Sequence, residues 1–404
     1  MDAKSSCIFP HDNINYGKAF ETGLSAAHER ATLRMNNGLI ARTGKLLNQI
    51  SSLKRFLPSY QKRVLILKND GLGDLIIFLP FVSRLRNHYN RQGYKVLLMV
   101  REPWKELAER SGCADGVISQ VPYRNTGQWL FYRVLFWIKH SFDIIVEGVC
   151  EAHDITDCCR CEKRINIYLD TKWRSNEKNV CSCDVSGLSI SERYEKILQL
   201  CGAENLPSPV AWESLCAPLV PEYLAEPYIL ICPDSNDPRK CWEVEKFAEI
   251  IKRIRCQSSK RIILSGLDCS RNRSLAALCR DCGNVVDLSG KTDLFQMFSL
   301  VKNCDLLLSS DTGTAHAGAA LRKLTFVICG RGEYGTFFPY HSEAEGKYVF
   351  SIHSPAECPK CYWRDPECTH LPVYRCISEI SVESVWNALT TYGASALIGN
   401  CPEH

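Results

Sequence analysis

Residues 63–86 read RVLILKNDGLGDLIIFLPFVSRLR. The run VLILK (64–68) is apolar up to its last residue, with no polar alternation, and such a run predicts a strand covered on both faces. The turn NDGLGD (69–74) then hands the chain to a helix over LIIFLPFVSRLR. Glycines at a strand-to-helix turn let the backbone approach a ligand and expose the first amides of the helix. Gly71 and Gly73 supply two glycines of a dinucleotide fingerprint, but the third position holds Ile76, which disfavours a nicotinamide dehydrogenase. Asp74 falls at the start of the helix, on the carboxyl edge of the sheet, where open α/β sheets build their active sites. The plainer alternative is that Asp74 only caps the helix.

The same grammar continues outward. KVLLMV (95–100), GVISQV (116–121), FDIIVEG (142–148) and RINIYL (164–169) are further short apolar runs separated by helix-length or loop segments. A second set follows a proline-punctuated stretch, Pro207–Pro227: YILICPD (228–234), RIILSGL (261–267), NVVDLS (284–289), CDLLLSSD (304–311) and LTFVICG (324–330). Strands alternating with helices mean parallel sheets. The expected fold is α/β, with two Rossmann-like parallel-sheet domains facing a cleft. The boundaries read as a helical extension over 1–60, a first domain over 61–218 and a second over 225–404, closed by a helix near 381–391. No internal repeat of solenoid period is present.

Two loops of the second set carry polar chemistry. SDTGTAH (310–316) follows a strand and leads into an alanine-rich helix. Thr312, Gly313 and Thr314 offer amides and hydroxyls at a helix N-terminus, a natural cradle for a diphosphate, while Asp311 and His316 can hold sugar hydroxyls or phosphate. PDSNDPRKCW (233–242) contributes Ser235 and Lys240, the lysine placed to neutralise a departing phosphate. Gly290-Lys291-Thr292 is not a nucleotide P-loop, since Val285 stands where its first glycine is required.

Length and composition set the outer bounds. At 404 residues the chain fits two domains, and a formal charge of +4 gives no case for nucleic-acid binding. Between His28 and Arg63 lie eight Lys or Arg residues and one acidic residue, Glu29, among leucines at helical spacing. That pattern fits a basic amphipathic helix on an anionic membrane surface or, equally, a helix packed on its own domain. The first residues carry no signal-peptide core and the longest apolar run is too short for a span, so the expected location is cytoplasmic, with peripheral contact to the inner membrane open. The chain holds 23 cysteines. Cys358, Cys361, Cys368 and Cys376 have the knuckle spacing of a tetrahedral thiolate site, for structural zinc first and iron second, organising the tail away from the chemistry. The cluster of Cys158, Cys159, Cys161, Cys181 and Cys183 has poor spacing and reads as unligated.

From Arg63 to Trp386, fading over 150–225, the chain resembles glycosyltransferase family 9, the ADP-heptose:lipopolysaccharide heptosyltransferases. The resemblance rests on VLILKNDGLGDLIIFLP, RKCWEVEKFAEI, LSGKTDLFQMFSLVKNCDLLLSSDTGTAHAGAAL and the cysteine-rich tail. It implies a GT-B fold and inverting transfer of a heptose or related sugar from an ADP-sugar to a lipopolysaccharide core or related glycan, with no cofactor needed for catalysis. Asp74 then matches the general base, Lys240 the lysine on the donor phosphates, and Asp311, Thr312, Gly313 and His316 the donor loop. Two departures bear on the donor: the segment after RIILSGL lacks an alignable acidic contact, and Trp242 is followed by Glu243 instead of proline. The competing readings are a protein O-heptosyltransferase of the autotransporter type and a non-catalytic sugar-nucleotide or metal-binding protein of the same fold.

Overall fold

A computed structural model of the chain describes residues 60–120, 140–148, 161–168, 179–207, 210–224, 226–267, 269–332, 334–338, 340, 347–354, 368 and 371–398. The expected extension over 1–60, apart from Tyr60, lies outside the described residues. The chain divides into two compact units. One comprises Met1–Lys62, Pro122–Asp143 and Ala152–Glu162; within it the Tyr60 hydroxyl donates to the Asp143 carboxylate at 2.9 Å. The other comprises Arg63–Val121, Ile144–Glu151 and Lys163–His404, and contains both sheets.

The first sheet runs β1 (Arg63–Lys68), α1 (Leu72–Asn90), β2 (Lys95–Arg101), α2 (Lys105–Arg110), β3 (Gly116–Gln120), β4 (Ile144–Glu147), β5 (Lys163–Tyr168) and β6 (Val180–Asp184), followed by α3 (Ile190–Cys201). The second runs β7 (Tyr228–Cys232), α4 (Val244–Gln257), β8 (Arg261–Leu264), α5 (Cys269–Leu278), β9 (Val285–Asp287), α6 (Leu294–Asn303), β10 (Leu306–Ser310), α7 (Gly313–Ala320), β11 (Thr325–Ile328) and β12 (Val349–Ile352), with α8 (Val382–Tyr392) after it. The strand orders are β3-β2-β1-β4-β5-β6 and β12-β11-β10-β7-β8-β9, and every pairing is parallel. Numbered from its own first strand, each sheet has the order 3-2-1-4-5-6 of the Rossmann fold. Each therefore reverses direction once, between β1 and β4 in the first and between β7 and β10 in the second. Ligands of such sheets bind beyond the carboxyl ends of the strands at that reversal.

β1 lies at the centre of its sheet with Val64 to Leu67 wholly buried, as an unbroken apolar run requires. α1 buries Leu75, Ile76, Phe78, Leu79, Val82 and Leu85 in a core that also takes in Phe298 of α6 and Ala315 and Ala319 of α7. The two layers thus meet through α1 and α7. α3 is pinned at its start by a capping box, Ser189 with Glu192, and stopped by left-handed Gly202. That fixes Tyr194, fully buried, against Phe78 at a ring separation of 4.6 Å.

Candidate active site

The first reversal point holds Asp74. Gly71 is the N-cap residue of α1 and makes no side-chain cap, so Asp74 stands at the third helical position and not at the capping position. Its carboxylate folds back beside Gly71, where a Cβ would come within 3.4 Å of Oδ2. About 30% of its side chain stays exposed, and helix N-terminal amides favour its ionised form. Beneath it lies Lys68, the last residue of β1, only 2% exposed. Lys68 Nζ donates to the Gly148 carbonyl at 3.1 Å and to Asp70 at 2.5 Å, and stands 4.0 Å from Asp74 Oδ1. Gly148 directly follows β4, so this cluster spans the ends of the two strands that flank the reversal. Sequence reasoning gave Lys68 no role, although a charged residue closing an otherwise apolar buried strand was a visible signal.

The second reversal point holds the 311–316 loop and the loop after β7. Thr312 caps α7, accepting the Thr314 amide at 3.2 Å. Ser310 Oγ donates to the Pro233 carbonyl at 3.0 Å and ties the two loops together. Lys240 Nζ stands 3.9 Å from Asp311 Oδ2, and Asp311 Oδ1 stands 3.8 Å from His316 Nε2. These are electrostatic approaches, too long for hydrogen bonds. Ser235 lies in the same loop as Lys240, with its backbone against the Cys241 thiol. His316 shares a hydrogen bond through Nδ1 with the Tyr340 hydroxyl and stacks on Phe338 at 5.2 Å. Burial, and then the charge of Lys240, push its pKa down to about 3, so the imidazole is neutral.

The two reversal points are brought together by the crossing of α1 and α7. A Cβ on Gly73 would sit 2.4 Å from His316 Cδ2, and a Cβ on Gly313 would sit 2.6 Å from Leu72 Cδ2. Each helix therefore offers a glycine to a side chain of the other, and Asp74 follows directly on the residue that touches His316. A cavity of about 320 Å³ lies along this crossing, lined by Ile76, Pro80, Phe81, Arg84, His316 and Tyr340 among others.

Of the four tail cysteines, Cys358 and Cys361 lie outside the described residues. Cys368 and Cys376 are both buried in the apolar cluster that includes Trp242 and Tyr374. Among the described residues no group of three or more His, Cys, Asp or Glu side chains is arranged to hold a metal. This segment does not stand apart from Lys240. The Tyr374 amide donates to the Arg239 carbonyl at 2.9 Å, its hydroxyl to Asp237 at 3.2 Å, and the Arg239 guanidinium lies 4.8 Å over its ring. Cys161, Cys181 and Cys183 form no disulfide among the described residues.

The family model of glycosyltransferase family 9 (heptosyltransferase) matches residues 198–358. Lipopolysaccharide heptosyltransferase 3 of Escherichia coli is 22% identical over 287 residues, covering 66% of this chain and 83% of that protein. Among solved structures, the ADP-heptose lipopolysaccharide heptosyltransferase II of E. coli superposes with a TM-score of 0.58 at 16% identity, over 82% of this chain and 98% of the other. The iron-containing dodecameric glycosyltransferase TibC of enterotoxigenic E. coli gives a TM-score of 0.52 at 13% identity, over 83% and 77%. The fold is that of the GT-B class, and the family match over residues 198–358 is to glycosyltransferases. Residues 198–358 match glycosyltransferase family 9, the family that the motifs of the sequence resemble.

Proposed function

We propose that this chain is an inverting transferase that moves a heptose or related sugar from an ADP-sugar onto a hydroxyl of a lipopolysaccharide core or related glycan. In this reading residues 61–218 bind the acceptor and 225–404 bind the donor. The observation that carries it is the crossing of α1 and α7, where Gly73, the residue before Asp74, meets His316 of the other helix. The likeness to lipopolysaccharide heptosyltransferase 3 supports the sugar and the acceptor class.

The acceptor hydroxyl attacks the anomeric carbon while Asp74 takes its proton. The new glycosidic bond forms as the bond from that carbon to the phosphate oxygen breaks, and ADP departs. Lys240 and the amides of Thr312, Gly313 and Thr314, at the start of α7, carry the charge that develops on the diphosphate. Ser235, Asp311 and neutral His316 orient the donor. None of these steps calls on a metal. Cys358, Cys361, Cys368 and Cys376 hold one structural zinc or iron, and the basic segment before residue 63 brings the enzyme to the cytoplasmic face of the inner membrane.

Asp74→Asn tests the assignment. Asn keeps the shape and the helix start but cannot accept the proton. Turnover of ADP-heptose with a deacylated core acceptor should fall about 10²–10⁴-fold, while thermal stabilisation by the donor persists. Near-wild-type turnover removes Asp74 from the chemistry. Donor specificity is read in the same assay with UDP- and GDP-sugars beside ADP-heptose.

A further inference from the structure

A fully buried ammonium is costly unless something charged repays its lost hydration. The Lys68 ammonium sits between two aromatic faces, 5.0 Å from the Tyr194 ring centre and 5.5 Å from that of Phe78, with one hydrogen bond to the Gly148 carbonyl and one to Asp70. Burial by itself would lower its pKa. Tyr194, Asp70 and Asp74 overturn that, and the group is held charged, above the ordinary lysine range. Asp74 Oδ1 stands 4.0 Å from Nζ.

We propose that Lys68 is a positioning residue for Asp74, its buried ammonium orienting the carboxylate and holding its proton affinity down so that the base is ionised at the working pH. The mechanistic consequence rests on Asp74 being the general base. The counter-ion role itself rests only on the cluster. Asp70 and Asp74 come from the turn and first helical turn of α1, and Tyr194 from α3. On the adjoining strand β4, Glu147 is engaged by Arg164 at 2.7 Å. Across the helix crossing stand neutral His316 and the Lys240–Asp311 pair. Lys68 is thus the buried cation set directly under the two carboxylates of the 69–74 turn.

The arrangement predicts shifts of opposite sign from two neighbouring substitutions. In Lys68→Met the side chain keeps its length and loses its charge, leaving Asp70 and Asp74 as like charges without their counter-ion. In Asp70→Asn the like charge goes and Lys68 is left to Asp74. Two readouts separate the claims: the carboxyl ¹³C titration of Asp74, assigned against Asp74→Asn, and the acidic limb of kcat/KM for ADP-heptose with a deacylated core acceptor. Lys68→Met should raise both by about one to three pH units, and Asp70→Asn should lower both. A role in packing alone would not move them in opposite directions. An Asp74 titration unchanged in both variants overturns the inference. If Lys68→Met does not fold, Asp70→Asn decides alone, and the absence of a downward shift overturns it. A titration that moves while the rate profile stays fixed leaves the counter-ion role standing and removes Asp74 as the base.

Discussion

His316 shows how far a residue's type is from its state. A histidine in a strand-to-helix turn, beside an aspartate, looks like an acid or a base. Here the ring is buried, stacked on Phe338 and bonded to Tyr340, and it stays neutral. It therefore donates no limb to the rate profile between pH 5 and 9. It does couple folding to acid. The unfolded chain protonates this residue near the ordinary value of 6.5, whereas the folded chain resists down to about 3. Between those values the unfolded state binds more protons, so the stability present above 6.5 is lost progressively as pH falls toward 3. His316→Gln should flatten that part of the stability–pH curve, measured by urea unfolding at pH 7 and pH 4. An unchanged slope would show that the ring is not the group responsible. The sequence pattern placed His316 in a ligand loop but could not reveal its burial, because the aromatic residues that cover it arrive more than twenty positions later in the chain.

At the scale of elements, the apolar strands were legible, β6 and β12 were not anticipated, and the partners of the helices were not legible at all. Unbroken apolar runs such as VLILK and CDLLLS announce two-faced burial, and all of the quoted runs contain strands. Periodicity says which face of a helix is apolar but not which other helix will cover it. The pairing of α1 with α7 joins Leu72 and Gly73 to Gly313 and His316 across some 240 positions, and it is this pairing that assembles the candidate site. Lys68 went unassigned for a related reason: a lysine at a strand end is ordinarily read as solvated. The crossing itself can be tested. A methyl at Gly313 would meet Leu72 not only at its Cδ2 tip, 2.6 Å away, but also at Cγ and Cβ, 2.7 and 3.1 Å away. Gly313→Ala should force the helices apart, costing about 1–3 kcal/mol in urea unfolding together with lost turnover. Stability equal to wild type would mean that the helices are not held this tightly.

For the whole molecule, the tail is stitched to the loop that carries Lys240. Besides Tyr374, the Trp242 indole donates to the Ile380 carbonyl at 2.9 Å and Lys246 reaches the same carbonyl at 3.3 Å. A metal bound by Cys358, Cys361, Cys368 and Cys376 would therefore bear on the loop that carries Lys240. Elemental analysis of the purified protein should find close to one zinc or iron per chain. Serine at Cys358 and Cys361 should remove it, lower the melting temperature and weaken the thermal shift given by ADP-heptose. Metal-free protein with full stability and an undiminished shift would count against the whole scheme.

The order in which the strands lie along the chain also has a consequence in time. All six strands of the first sheet are drawn from residues 63–184, so that sheet can close while the second is still being made. The face of α1 that α7 covers must wait until residue 320 has been synthesised, roughly ten to fifty seconds after α1 itself at ordinary translation rates. During that interval a growing chain carries an open apolar surface on an otherwise finished half, where a holding chaperone has its natural point of attachment.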